Sequence, residues 1–436
     1  MSHAEGSDTT ASGDVSHAEG NDTTASGLYS HAEGAYTVAS GRGSHAEGVE
    51  YNEIGTSARA DAAHAEGAGV VVRGQAAHGE GLLNVAGRTQ EAAVAALADF
   101  PNLSGTTEQK VSKLIGFASH SEGSSTQALG TSSHAEGTST QALVNSTHAE
   151  GDTTTASGEA AHSEGYKTTA SGNQSHSEGF NTQATANQAH SEGKKTIASA
   201  ENAHSEGNET KAVGNASHSE GYRTYAYGAM SHIEGTSSTL VSDANAASES
   251  VESIWEENGH NFSLSRGQGS HVEGKNCLAT GDWSHAEGVS SSATKIGSHA
   301  EGSGTIVSNN YEHAQGIYNK TNYITGSFGN AGNTLHSIGI GTYSTRKNAE
   351  EIMQNGDMYL IGVGSYDGTN YSTADTLQDV INSKQGSLTF DTTPTENSTN
   401  PVTSGGVYNA LNDTELVVSA ALNDLNDRVV DVEEKE

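Results

Sequence analysis

Histidine outnumbers lysine and arginine together in this chain, 21 against 20, and its placement is regular. His3, His17, His31 and His45 lie fourteen residues apart, the step recurs without a break from His120 to His232, and it resumes through His271, His285, His299 and His313. Nineteen of these histidines open H-x-E-G, or H-x-Q-G at His313; His336 in HSIG reads as a worn twentieth copy, and His260 lies outside the pattern. An imidazole and a carboxylate two residues apart share one face of a strand, and three chemistries compete for them. They could share a cation, with a threefold axis gathering three histidines. They could pair across coils or chains as a buried polar ladder, since a carboxylate leaving water costs several kcal/mol unless it is partnered. They could also face solvent and bind a ligand. Side chains in solvent have no packing reason to stay His and Glu through nearly every copy, so a metal-free, enclosed ladder is expected. It is typified by His17/Glu19, His31/Glu33, His134/Glu136, His162/Glu164, His176/Glu178 and His285/Glu287. Such pairing predicts raised histidine pKa values, and full protonation would cancel more than half of the formal −34.

The elements that position these pairs follow from the whole unit, S-H-A-E-G-x-x-T-x-A-x-G-x-x, as in residues 16–29 (SHAEGNDTTASGLY). Composition alone, 32% hydrophobic with 53 glycines and strong net negative charge, points to disorder. A fixed short period points instead to a solenoid whose coils are stabilised by their neighbours. Counting from each histidine as position 0, small residues at −1 and +1 face one way while His and Glu face the other, and Thr at +6 and Ala at +8 repeat that spacing after a turn. Each coil then holds two short strands, with the glycines at +3 and +10 supplying turns where φ > 0 is needed. At about 4.8 Å per strand layer, about twenty coils give a rod about 95 Å long. So thin a rod buries little apolar surface, and association around a threefold axis would supply the rest.

The repeat resembles the fourteen-residue unit of trimeric autotransporter adhesin heads, S-x-A-x-G-x-x-A-x-A-x-G, over most of residues 1–345. That resemblance implies a left-handed parallel β-roll that trimerises side by side, although the family usually has apolar residues where this chain has His and Glu. Segments near the C-terminus, NGDMYLIGVGSYDG and PTENSTNPVTSGGVYNAL, resemble the ends of bacteriophage fibre proteins, in which they follow HAEG repeats. This second resemblance implies a virion fibre made in the host cytoplasm, in contact with other virion proteins and with a host-surface glycan or protein. A bacterial trimeric adhesin fragment and a depolymerase-bearing fibre are the alternatives.

The chain divides into an HxEG-repeat β-roll over 1–315, a strand-rich transition domain over 316–371, a short helix over 372–386, a linker over 387–404 and a coiled coil over 405–436. Insertions at about 86–117 and 237–266 read as helical, from Thr89 to Asp99 and from Ser242 to Asn258. Solenoid insertions often carry the binding face, which makes Trp255, Phe262 and Tyr311 candidate receptor contacts, against the plainer reading of local core. Leu411, Val418, Leu422, Leu425, Val429 and Val432 form the expected trimerisation stripe; the last five follow 4-3-4-3 spacing.

Several functions have no residues to carry them. The N-terminal MSHAEGSDTT has neither a basic segment nor an apolar core, and no run approaches a membrane span, so neither export nor membrane insertion is expected. Excess acid argues against nucleic acid. No GxSxG, Walker loop or paired Cys and base is present, nothing singles out a carboxylate pair among 54 acids, and no enzyme activity, cofactor or metal is expected.

Overall fold

The structure, a computed structural model, describes residues 1–360 apart from 89, 100–105, 108, 111–114, 249 and 324–325, together with 375–376 and 411–424. It is a mainly β parallel solenoid of about 21 coils with few helices. Each coil contributes a five-residue strand, such as His162–Tyr166, and a two-residue strand, such as Thr169–Ala170. Both pair in parallel and in register with the next coil, His162 on His176, Glu164 on Glu178 and Thr169 on Gln183. Strict register converts a sequence repeat into columns of like residues.

The space between the two sheets is filled by positions −1, +1, +6 and +8. In one coil these are Ala161, Ser163, Thr168 and Ala170, all essentially inaccessible to solvent. Side chains this small let the sheets pack closely, and local exceptions are compensated. Where Val70 and Val72 intrude, position +1 becomes Gly79, at which a Cβ would stand 2.8 Å from Val70 Cγ1 and 2.9 Å from Val72 Cγ2. Polar interior positions pair across the gap: in the H-S-E-G coils the serine hydroxyl meets the threonine hydroxyl, as in Ser121 with Thr126 at 2.7 Å and Ser205 with Thr210 at 2.8 Å. In H-A-E-G coils alanine offers no partner, and Thr23, Thr37, Thr140 and Thr154 keep buried hydroxyls without a hydrogen bond.

The turns depart from expectation. Glycine at +3 does adopt positive φ, +106° at Gly165, and a Cβ there would lie 2.2 Å from the carbonyl oxygen of Gly179. Glycine at +10 does not, since Gly158 and Gly172 have ordinary φ. The left-handed residues are instead those at +5 and +12, mostly not glycine, such as Lys167 (φ 56°) and Gln174 (φ 57°). Their amides donate to the preceding coil, Lys167 N to Asp152 O at 2.9 Å and Gln174 N to Glu159 O at 2.7 Å. Those bonds offset a left-handed cost of about 1–2 kcal/mol per residue.

The insertions are shorter in helix than their patterns predict. The first holds α1 (Gln90–Ala95), followed by a 3₁₀ turn over Ala96–Asp99. The second splits into α2 (Asp243–Ala247) and α3 (Val251–Glu257), because Ser248 turns extended while Ser242 caps α2 by accepting from Asn245 N. Serine hydroxyls compete with helix hydrogen bonding in this way. Past the repeat, Thr334–Ile340 pairs in parallel with His313–Ile317 and carries His336 onto the histidine column. Asn348–Met353 then pairs antiparallel with it, and Met358–Leu360 with Asn348–Met353. Asp375–Thr376 form a strand on Met358–Leu360, correcting the helix expected over 372–386 at those two residues; the remainder of that segment and the linker over 387–404 lie outside the described residues.

Candidate functional site

Twenty imidazoles form one continuous column, from His3 to His336. Ring centroids in its regular part are 4.5–4.9 Å apart, for example 4.7 Å for His148 and His162 with planes 1° apart. Only the ends tilt, at His3 over His17 and at His313 over His336. Beside this column runs a second one of glutamates. Within a coil, His Nε2 and Glu Oε2 are 3.9 Å apart at His17/Glu19 and at His31/Glu33, 4.0 Å at His134/Glu136, 3.5 Å at His162/Glu164 and His176/Glu178, and 3.7 Å at His285/Glu287.

Three features of this geometry correct the expected ladder. The pairs lie within coils rather than between them; His313, whose coil has Gln315, is the exception and reaches Glu301 of the preceding coil at 3.6 Å. The face is also half-exposed in the single chain rather than enclosed, down to side-chain accessibilities of 30% at both His285 and Glu287. Glu19 departs furthest among the expected pairs: Glu19 is exposed, with 52% of its side chain accessible, which corrects its expected place in a buried ladder. The physical reason is that the carboxylates project outward from a single chain: Glu47, Glu66, Glu150 and Glu273, inside the shaft, are exposed as well. The histidines of the column that are displaced, finally, are held low rather than raised. Burial, reinforced by the imidazoles above and below, depresses His45, His78, His134, His162, His190 and His218, and pushes His285 down to about 4. A stack of like groups leaves no room for adjacent positive charges, so these rings are neutral near pH 7 and do not cancel the acidic charge. Crowding acts on the glutamates too: burial and the carboxylates of Glu206 and Glu234 push Glu220 up to about 7. Eighteen histidines, from His17 to His313, keep Nε2 sealed from solvent with no hydrogen-bond partner.

His-Glu-His groups such as His31, Glu33 and His45 bring possible ligand atoms within 4.8 Å of one another. The fit is poor, because zinc needs ligand bonds of about 2.0–2.1 Å converging on one point. Parallel rings a full coil apart aim their nitrogens side by side.

The aromatic candidates separate. Trp255 and Phe262 are buried, correcting their reading as receptor contacts: Trp255 stacks on His260 at 3.9 Å, donates from Nε1 to Phe262 O at 2.9 Å, and joins Val251, Tyr225, Leu264 and Leu278 in a local core. Tyr311 is 58% exposed, and Trp283, which sequence reasoning passed over, is 61% exposed. Its signal lay in row +12, where glycine alternates with an aromatic through Gly269, Trp283, Gly297 and Tyr311. On the helix over 411–424, Leu411, Val418 and Leu422 are exposed; Leu425, Val429 and Val432 lie outside the described residues.

The chain matches no family model, and no curated protein matches its sequence. Functional reading therefore rests on the columns and the turn rows. Among the described residues no helix is long and apolar enough to cross a membrane. Cys277 is buried, and burial pushes its thiol up to about 11, away from nucleophilic character.

Proposed function

We propose that the chain is the structural subunit of a homotrimeric bacteriophage fibre, a left-handed β-roll shaft on the virion that holds host-attachment surfaces away from the particle. The observation that carries this reading is the half-exposed face of stacked imidazoles and glutamates that runs the length of the repeat. A rod with so thin an interior gains burial by laying that face against a complementary surface of equal length. A second and third copy of the same chain supply such a surface, because their columns repeat at the same step. The exposed apolar side chains of Leu411, Val418 and Leu422 suit a short coiled-coil clamp on an oligomer that the shaft has already formed. The acidic net charge keeps such rods apart from one another and from nucleic acid.

Sedimentation equilibrium and native mass measurement test the assembly: three chains are expected, and a monomer at micromolar concentration would overturn it. Attachment is tested by incubating fluorescently labelled rods with a panel of bacterial strains. Adhesion to particular strains is expected, and adhesion to none removes the attachment role.

A further inference from the structure

Row +12, one of the two left-handed turns of each coil, is mostly occupied by small or amide side chains such as Ser132, Ala160, Gln174 and Asn202. Between 269 and 311 it changes character. Trp283 (φ 58°) and Tyr311 (φ 60°) hold bulky rings in a backbone conformation that bulky residues avoid. Each follows a glycine one coil earlier, and each ring lies over it: a Cβ on Gly269 would meet Trp283 Cε3 and Cζ3 at 2.5 Å, and one on Gly297 would meet Tyr311 Cδ1 at 2.8 Å. The glycines thus clear a seat on which the ring rests with its other side outward. Neither ring contributes to a core, as both are more than half exposed. The left-handed backbone is shared by the row and held by the usual bonds to the preceding coil, Trp283 N to Gln268 O at 2.8 Å and Tyr311 N to Ile296 O at 2.9 Å; what sets these two apart is a large exposed ring seated on a glycine, an apolar surface with no packing role.

Resting on the attachment reading above, we propose that Trp283 and Tyr311 are stacking platforms for the sugar rings of a neutral host-surface glycan. Three observations select that occupant. A pyranose presents an apolar C–H face the size of one aromatic ring, with hydroxyls around its edge, and aromatic side chains with polar neighbours suit ligands that are part apolar and part wet. The platforms stand two coils apart on a rod whose local steps are 4.5 and 4.7 Å, a separation near the length of a disaccharide. Beside Tyr311, Phe328 packs edge-on at 5.8 Å and forms, with Asn310, Tyr323 and Lys295, the wall of a cavity of about 120 Å³ that could take a branch or a terminal sugar. A chain of formal charge −34 disfavours polyanions and so points to uncharged sugars.

The test uses the intact chain on an array of neutral and acidic glycans, followed by calorimetric titration of a bound neutral oligosaccharide into the parent and each variant, with tryptophan emission as a second readout in the parent and in Y311A. Trp255 is buried, so a change on binding reports Trp283. Binding to neutral glycans is expected, with at least a tenfold loss of affinity in W283A and in Y311A, near-full retention in W283F, and unchanged assembly mass and melting in all three. No neutral glycan bound, acidic glycans alone bound, or W283A binding as well as the parent would overturn the proposal. So would a changed assembly mass in W283A, which would place a second copy of the chain on this edge. Labelled rods on cells separate the two levels: adhesion that survives both substitutions leaves the attachment role standing without this site, whereas a parent that adheres to no cell removes the attachment role itself.

Discussion

Ser163 Oγ lies 2.8 Å from Thr168 Oγ1 across the interior of one coil, and one coil earlier Ala149 faces Thr154, whose hydroxyl has no partner. Position +1 therefore decides whether the buried threonine at +6 is satisfied, and serine and alanine are not equivalent there although both fit.

Adding the missing hydroxyl should strengthen the shaft. A135S and A149S are each expected to stabilise by about 0.5–1.5 kcal/mol, the net value of a hydrogen bond, and S163A or S177A to cost about 1–3 kcal/mol by orphaning Thr168 or Thr182. Thermal unfolding of the four variants checks the direction, and a lower melting point for A149S would show that the interior cannot accommodate the oxygen.

Acid should weaken the rod. A histidine whose folded pKa lies below its unfolded value of 6.5 contributes stability above that pH and loses it as pH falls towards the folded value, which is about 4 at His285. Ten column histidines are held low in this way. Glu220, Glu287 and Glu312, all raised, run the opposite way: their contribution is full below the unfolded value of 4.5 and, at Glu220 and Glu312, is lost as pH rises through about 7. Ten groups against three predict a melting temperature that falls between pH 7 and pH 5. A rise over that interval would mean that the carboxyls dominate.

Glu312 occupies position −1, where other coils have Ser, Ala or Thr, and its carboxylate is wholly buried. Oε2 accepts from Ser308 N at 2.9 Å, Asn309 N at 3.0 Å, Asn309 Nδ2 at 2.8 Å and Thr321 Oγ1 at 2.9 Å, which ties the last regular coil to the segment after it. E312A leaves these donors unanswered and is expected to cost about 1–3 kcal/mol, the penalty for buried donors that lose their acceptor. E312Q keeps an acceptor and should cost less. Hydrogen exchange over 305–340 distinguishes them, and equal protection in E312A and the parent would contradict this role.

Chelation should leave melting unchanged, because the stacked imidazoles aim their nitrogens in parallel and converge on no common point. A fall of several degrees on dialysis against EDTA, restored by one metal, would mean that the column rearranges around ions.

The solenoid, its period and the division between small interior and ionisable exterior were legible in the sequence because strict register makes every coil repeat the evidence of the last. The state of the ladder was not. Alternation places His and Glu on one face but is silent about how far that face is buried and whether the rings of His148 and His176 lie on His162; burial first, and those rings after it, set the direction of the pKa shift. Nor does a repeat that reads alike in every copy reveal that cover varies along the shaft, so that Glu19 near one end is exposed while Glu287 is only partly so. The turn rows were misread for a similar reason: glycine is the usual mark of left-handed backbone, whereas here stacking hydrogen bonds hold Lys167 and Gln174 in it. Trp255 misled because a helical insertion can lie on the shaft as easily as project from it, and the buried Tyr225 and Leu278 show that it lies down.

Because each coil meets the next through the same columns in the same register, the fold does not count its own coils. Removing residues 148–161 would set His162 where His148 stood and change nothing else at the junction except one step of length. Fourteen residues are thus a unit of exchange: duplication or loss of that many codons lengthens or shortens the shaft by a coil, whereas extra residues of other lengths are carried as excursions between coils, as between His45 and His64 and between His232 and His271, where the columns continue in register. The length of the shaft can therefore change in whole coils while the surfaces carried along it stay as they are.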